Sequence, residues 1–195
     1  MKYDLILASA SPRRAELLKQ IGVHFRVVHS NIDEKQQPGE SAVDYVTRMA
    51  VEKARKVAAS HPEGVPILGA DTTVVLGSDI FGKPRGYNDA RTMLQALSGN
   101  SHQVLTAVAV DDGETSSALV SKTEVTFRHI REHEYLSYWQ SGEPVDKAGA
   151  YAIQGYGAVF VENLRGSYSG VVGLPIAQTY RLLEQFNVPI WSHPK

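Results

Sequence analysis

Two arginines at the start of a helix are the first residues whose placement invites chemistry. The segment Ser9-Ala10-Ser11-Pro12-Arg13-Arg14 follows a short apolar run and precedes a helical stretch that ends near Gln20. The first turn of a helix carries the positive end of its peptide dipoles, so an exposed cation there costs about 0.3–1 kcal/mol. An anion held by the backbone N–H groups of the helix start reverses that cost. Arginine adds a planar fork matched to phosphate oxygens. A capped surface helix with solvated arginines is the plain alternative.

Asp71 stands inside the apolar run Pro66–Leu76. An unpaired carboxylate there is strongly disfavoured, so Asp71 is either paired in a structural salt bridge or set to bind metal or water. Lys53 shares a helical stripe with Val46, Met49, Ala50, Ala54 and Val57. A lysine on such a stripe either snorkels to water or reaches into a pocket. Glu34 and Lys83 fall in polar loops, Lys83 pinned between Gly82 and Pro84. No G-x-x-x-x-G-K-[ST] pattern surrounds Lys83, which excludes a P-loop nucleotide site. His129 and His133 have a spacing that zinc uses on helices, but no third ligand is evident and a polar helix face explains them better.

Taken together, Glu34, Asp71, Lys53, Lys83 and the Ser9/Arg14 helix start suit a metal–triphosphate complex. Paired carboxylates hold Mg²⁺ or Mn²⁺ through hard oxygen contacts. Cations neutralise the charge that grows on phosphoryl oxygens in the transition state. A metal-bound or Asp-oriented water supplies the nucleophile.

The elements that must position these residues alternate strand and helix early in the chain. Residues 3–8 predict a buried strand, followed by a helix with Ser11 as its N-cap and Pro12 at its first position. A second strand covers Phe25–Val28, and a polar loop over 29–40 leads to a long helix at 41–60, opened by Ser41 and Asp44. The run 66–76 predicts a central strand. A helix capped by Asn88 ends at Gly99, and strands follow at 102–111 and 119–127, the latter half-exposed and antiparallel to its neighbour. A helix near 131–141, a strand near 157–163, Gly-rich turns at 166–173 and a last helix opened by Pro175 complete the pattern. This predicts an α/β fold with a mixed sheet and flanking helices, one domain over residues 1–195 in two lobes around a cleft.

Composition narrows the classes. With 195 residues the chain can bury a substantial core, and its formal net charge of −1 provides no field to draw it to nucleic acid or an anionic membrane. Phosphate-binding charge must therefore be local. The absence of cysteine rules out disulfides and thiolate metal sites, and fits a reducing cytoplasm. No run approaches the eighteen or so apolar residues of a membrane span, and neither repeats nor low-complexity segments occur.

Seven blocks, in order, resemble the signatures of the Maf-like (septum-formation inhibitor Maf) family: Ser9–Arg14, Ile32-Asp33-Glu34, Glu52-Lys53-Ala54, Gly69-Ala70-Asp71-Thr72, Gly82-Lys83-Pro84, Asp146–Tyr151 and Val172–Pro175. The resemblance covers about residues 3–185. It implies a fold related to the inosine triphosphate pyrophosphatases, with two lobes flanking a nucleotide cleft. The implied reaction is hydrolysis of nucleoside triphosphates at the α-phosphate, giving monophosphate and pyrophosphate. By family position Asp71 would be the proton acceptor and would help hold a divalent metal, Mg²⁺ or Mn²⁺, with Glu34 a metal or water partner. The resemblance implies that Ser9, Arg14, Lys53 and Lys83 contact phosphates. The three positions said to sort substrates read Arg13, Thr72 and Gln154 here, similar to the dTTP/UTP pyrophosphatase branch.

A glutamine amide offers a donor and an acceptor side by side, which matches the N3–H and O4 edge of uracil or thymine. It matches the N1–H and O6 edge of guanine equally well, and a flipped amide serves cytosine. The same reaction on a methylated guanine or a cytidine nucleotide is therefore the nearest alternative, and a non-catalytic nucleotide-binding regulator of cell division is the next. A nucleoside triphosphate is the expected partner, with neither nucleic acid nor membrane, and the resemblance implies a homodimer.

Overall fold

All four residues of Leu5–Ala8 (β1) are buried, because the strand lies between two others and has helices against both faces. The structure, a computed structural model, describes residues 3–61 and 64–191. In it β1 pairs in parallel with Phe25–Val27 (β2) and with Ile67–Leu76 (β3), Ile6 lying opposite Ile67 and Ala8 opposite Gly69. Alternation then sorts the side chains. Leu5, Leu7, Leu68 and Ala70 face the helices Pro12–Gln20 (α1) and, near the C-terminus, Ile176–Gln185, through Leu18, Leu182 and Leu183. Ile6, Ala8 and Ile67 face Ala54 and Val57 of the long helix Ala42–Ala58 (α2).

The buried residues of α2 are Val46, Met49, Ala50, Lys53, Ala54 and Val57, the stripe set by the 3.6-residue period. Ser41 caps the helix: its hydroxyl accepts the Asp44 N–H at 3.2 Å and donates to the Asp44 carboxylate at 2.6 Å. Gly69 lets α2 approach the sheet closely. A Cβ there would overlap the Ala50 carbonyl and come within 2.8 Å of the Ala54 nitrogen.

The remaining elements are Asp79–Phe81 (β4), Tyr87–Leu97 (α3), Ser101–Asp111 (β5), Ser116–Phe127 (β6), Glu132–Gln140 (α4), Val161–Arg165 (β7) and Tyr168–Val172 (α5). Ile176–Gln185 is then α6. The seven-stranded sheet runs β2-β1-β3-β5-β6-β7, with β4 on β3. It is mixed, since β3/β4 and β6/β7 are antiparallel while β1 has parallel neighbours. The chain divides into two compact units, Met1–Asp71 with Thr106–Ser121 and Gly173–Lys195, and Thr72–Leu105 with Lys122–Val172. The second has its own core, in which Phe127, Tyr151, Phe160 and Tyr138 meet edge-on or tilted beside Leu94 and Leu97.

Several boundaries differ from the sequence expectation. Helix α3 starts at Tyr87 with Gly86 as its N-cap, not at Asn88, because the Asp89 carboxylate takes the Arg85 N–H at 3.0 Å and draws the helix start forward. Residues 157–160 form part of a 3-10 turn, Tyr156–Phe160, and β7 begins only at Val161. The N–H groups of Tyr156 and Gly157 are taken by the Glu143 carboxylate, so they cannot enter a ladder. The glycine-bearing stretch near 170 holds the short helix α5, whose Gly170 N–H is accepted by Ser167 Oγ at 3.0 Å. Ser11 is the N-cap of α1 by position, yet its side chain makes no capping bond.

Candidate active site

Lys53 is where the buried chemistry converges. The apolar stripe of α2 turns it toward β3, where only 7% of the residue remains exposed. Its ammonium lies 2.7 Å from Asp71 Oδ1 and 2.7 Å from Glu34 Oε1. Asp71 is itself buried in β3, on the face shared with Gly69 that α2 covers. Glu34 is half-exposed, at 48% of its side chain. Asp71 is thus paired, and Lys53 reaches inward to both carboxylates.

Ser9 follows β1 directly and is buried. Its Oγ accepts the Ser11 N–H at 3.2 Å and an Arg14 guanidinium N–H at 3.0 Å. A hydroxyl has two acceptor positions and one donor, so with both lone pairs engaged the Ser9 O–H remains to donate. Arg14 also donates from Nε to the Gly173 carbonyl at 2.8 Å. Its surroundings are dense enough that burial lowers its pKa from the ordinary guanidinium value. The Asp71 carboxylate acts in the opposite direction, followed by Arg13, which lowers it, and Glu34, which raises it. Arg13 is half-buried in the same helical turn, and no acidic residue lies there to offset the two arginines.

The loop that carries Glu34 is tied to α2 by residues that sequence reasoning missed. Tyr45 donates its hydroxyl to the Glu34 carbonyl at 2.9 Å. Arg48 forms a two-pronged pair with Glu40 at 2.6 and 2.7 Å and donates to the Lys35 carbonyl at 3.0 Å. The Arg48 hydrogen bond holds Glu40 down to a pKa of about 2. In sequence the only signal was that Tyr45, Arg48 and Glu52 share one flank of the helix, and a polar flank is ordinarily solvated.

Thr72, Lys83 and Gln154 belong to the second unit. Thr72 is half-buried and, by strand alternation, points to the face opposite Asp71. Lys83 is exposed in the β4–α3 loop, whose Gly82 carbonyl accepts the Gly149 N–H at 3.1 Å. Gln154 is exposed on the turn Ala152–Gly155. His129 precedes α4 rather than sharing a helix face with His133, and no cluster of three metal-ligating side chains occurs among the described residues. An open cavity of about 480 Å³ is lined by His133, Tyr138, Tyr156, Val159 and Phe160, and contains none of the candidate residues.

A divalent cation fits the carboxylate pair. Glu34 Oε1 and Asp71 Oδ1 converge on one positive centre, the Lys53 ammonium. Magnesium is ordinarily held by one or two carboxylates together with substrate phosphates and water. No third acidic or histidine ligand is grouped there among the described residues, so a bound ion would draw its other ligands from outside these side chains.

Comparison with known proteins identifies the family. Over 193 residues the chain is 51% identical to a dTTP/UTP pyrophosphatase of Saccharophagus degradans, covering 97% of this chain and 92% of that one. It is 50% identical over 184 residues to the dTTP/UTP pyrophosphatase of Escherichia coli K12, covering 94% and 93%. A structure of a nucleoside-triphosphatase, a dITP/XTP pyrophosphatase from Mycobacterium abscessus, aligns with a TM-score of 0.45 at 14% identity, over 94% of this chain and 95% of that one. A model of the family described as Maf-like protein matches residues 4–186, and with half-identical relatives along nearly its whole length, the chain belongs to the Maf-like family.

Proposed function

We propose that this protein hydrolyses nucleoside triphosphates, dTTP and UTP foremost, to the monophosphate and pyrophosphate. The observation that carries the reading is the Lys53 ammonium bridging the Asp71 and Glu34 carboxylates. The names of the half-identical relatives supply the substrate class.

Lys53 fixes Asp71 through Oδ1, which leaves Oδ2 to orient a water and accept its proton. The water oxygen bonds to the α-phosphorus, the bond from that phosphorus to the α–β bridging oxygen breaks, and pyrophosphate leaves. Ser9, Arg14 and Lys83 contact phosphate oxygens, and Lys53 offsets the charge that develops on them. Glu34 and Asp71 would hold Mg²⁺ or Mn²⁺, which when bound shields the triphosphate and polarises the reacting phosphoryl group. Arg13, Thr72 and Gln154 select the nucleotide, Gln154 through the N3–H and O4 edge of the pyrimidine. The reading places the protein in the cytoplasm, where such nucleotides are held, as the homodimer that the family resemblance implies. Sedimentation at working concentration tests the dimer.

The decisive experiment identifies products from a nucleotide panel in ¹⁸O-labelled water, for the wild type and Asp71→Asn. Label in the monophosphate, pyrophosphate as co-product, and kcat lowered roughly 10²–10⁴-fold in Asp71→Asn are expected. Label in pyrophosphate would move the attack to the β-phosphorus. Undiminished turnover in the variant would remove Asp71 from the mechanism. Preference for guanine or cytosine nucleotides would transfer the reaction to another base.

A further inference from the structure

Glu143 carries none of the roles above, yet its carboxylate gathers three donors. The Tyr156 N–H bonds to Oε2 at 2.8 Å, the Gly157 N–H to Oε1 at 2.8 Å, and the Tyr138 hydroxyl to Oε1 at 2.7 Å. The Tyr138 oxygen in turn accepts the Ala152 N–H at 3.2 Å. These attachments bracket the turn Ala152–Gly155, which is closed by the Gly155 N–H on the Ala152 carbonyl at 3.3 Å. Gln154 is the third residue of that turn. Its neighbours Tyr151, Ala152 and Ile153 on one side and Gly157 on the other are buried, while Gln154 itself is exposed. A Cβ on Gly155 would overlap the Glu143 carboxylate, and one on Gly157 would come within 2.6 Å of the Tyr138 hydroxyl.

A tight turn leaves backbone N–H groups without ladder partners, and an ionised carboxylate is the strongest acceptor a protein can offer them. Glu143 therefore holds the backbone after Gln154 directly, and the backbone before it through Tyr138, while the exposed Gln154 side chain reaches outward. Reading a base edge by a donor and an acceptor side by side requires that amide to be held to within about half an ångström. We propose that Glu143, acting with Tyr138, is a positioning residue for base selection, locking the turn that presents Gln154. This inference rests on Gln154 as the base reader. A purely structural role predicts lower stability with unchanged selectivity, whereas a positioning role predicts loss of selectivity.

The test compares kcat/KM for dTTP against dCTP and dGTP in Gln154→Ala, Glu143→Gln, Tyr138→Phe and the double variant Gln154→Ala/Glu143→Gln, with a thermal melt of each. Glu143→Gln keeps the side-chain size but turns one acceptor into an NH₂ group facing backbone donors. Tyr138→Phe removes only the hydroxyl, and carries the test if Glu143→Gln fails to fold. The expected result is KM for dTTP raised about tenfold, kcat within about threefold of wild type, and selectivity falling toward that of Gln154→Ala. The double variant should be no less selective than Gln154→Ala alone, because Glu143 acts through Gln154. If Gln154→Ala loses selectivity while Glu143→Gln and Tyr138→Phe keep it, Gln154 reads the base and the positioning role is overturned. If Gln154→Ala itself keeps the wild-type preference, the reading of Gln154 fails and the inference fails with it.

Discussion

At the scale of single residues, the Lys53 contacts explain why two acids can sit together beside an apolar core. Each carboxylate has the same ammonium at 2.7 Å, so neither is left uncompensated. Lys53→Met keeps the length and removes the charge. It should cost roughly 1–3 kcal/mol of stability, through the unpaired Asp71, and most of the turnover; denaturant unfolding and steady-state rates measure the two separately. His102 supplies the pH dependence. It is buried, with Nε2 2.8 Å from the Tyr151 hydroxyl and Nδ1 without a partner, and burial lowers its pKa to about 4. The unfolded chain, with an ordinary histidine near 6.5, takes up the proton first as pH falls. The native state is therefore favoured fully above about 6.5 and loses up to about 3 kcal/mol as pH falls to 4. His102→Asn should flatten that part of a melting-temperature profile against pH, and an unaltered acid limb would remove His102 as its source.

Among the elements, the pairing of α2 with β3 matters most. Gly69 allows the helix backbone to lie against the strand, and Lys53 and Asp71 then fall within hydrogen-bonding reach. The neighbours that an added methyl would meet are backbone atoms, Ala50 O and Ala54 N, which cannot rotate away. Gly69→Ala should destabilise by about 1–3 kcal/mol and lower turnover by lengthening the Lys53–Asp71 contact. Calorimetry alongside kcat would check this; a stable, fully active Gly69→Ala would show that the close approach is not what sets the site. The loop of Glu34 is attached to the same helix through Tyr45 and the Arg48–Glu40 pair, so one helix orders both carboxylates. Sequence periodicity gave the α2 stripe correctly, because a 3.6-residue pattern is local. The cap expected at Asn88 lies instead at Gly86, and the strand expected from 157 begins only at Val161, because side-chain acceptors, Asp89 and Glu143, redirect the backbone N–H groups.

For the molecule as a whole, no net field recruits the substrate, since the formal charge is −1. On the proposed reading, binding comes from local cations and a divalent ion rather than from a net field. Chelation should therefore abolish hydrolysis while leaving the nucleotide-free melting temperature unchanged, because Lys53 already bridges the two carboxylates. A parallel fall in melting temperature on chelation would mean that the ion is structural. The sequence by itself determined the α/β class, the order of the main elements and the set of chemically capable residues. Residue type and short-range period decide these: an arginine pair behind Ser-x-Ser-Pro, an acid in an apolar strand, a lysine on an apolar stripe. Only the tertiary structure decided that Lys53 bridges Glu34 and Asp71, that Ser9 Oγ spends both lone pairs on Ser11 and Arg14, and that Glu143 and Tyr138 together bracket the turn of Gln154. Those contacts join residues far apart along the chain, or depend on which rotamer the packing permits. No spacing rule encodes them, because their geometry exists only once the sheet and its helices have closed around them.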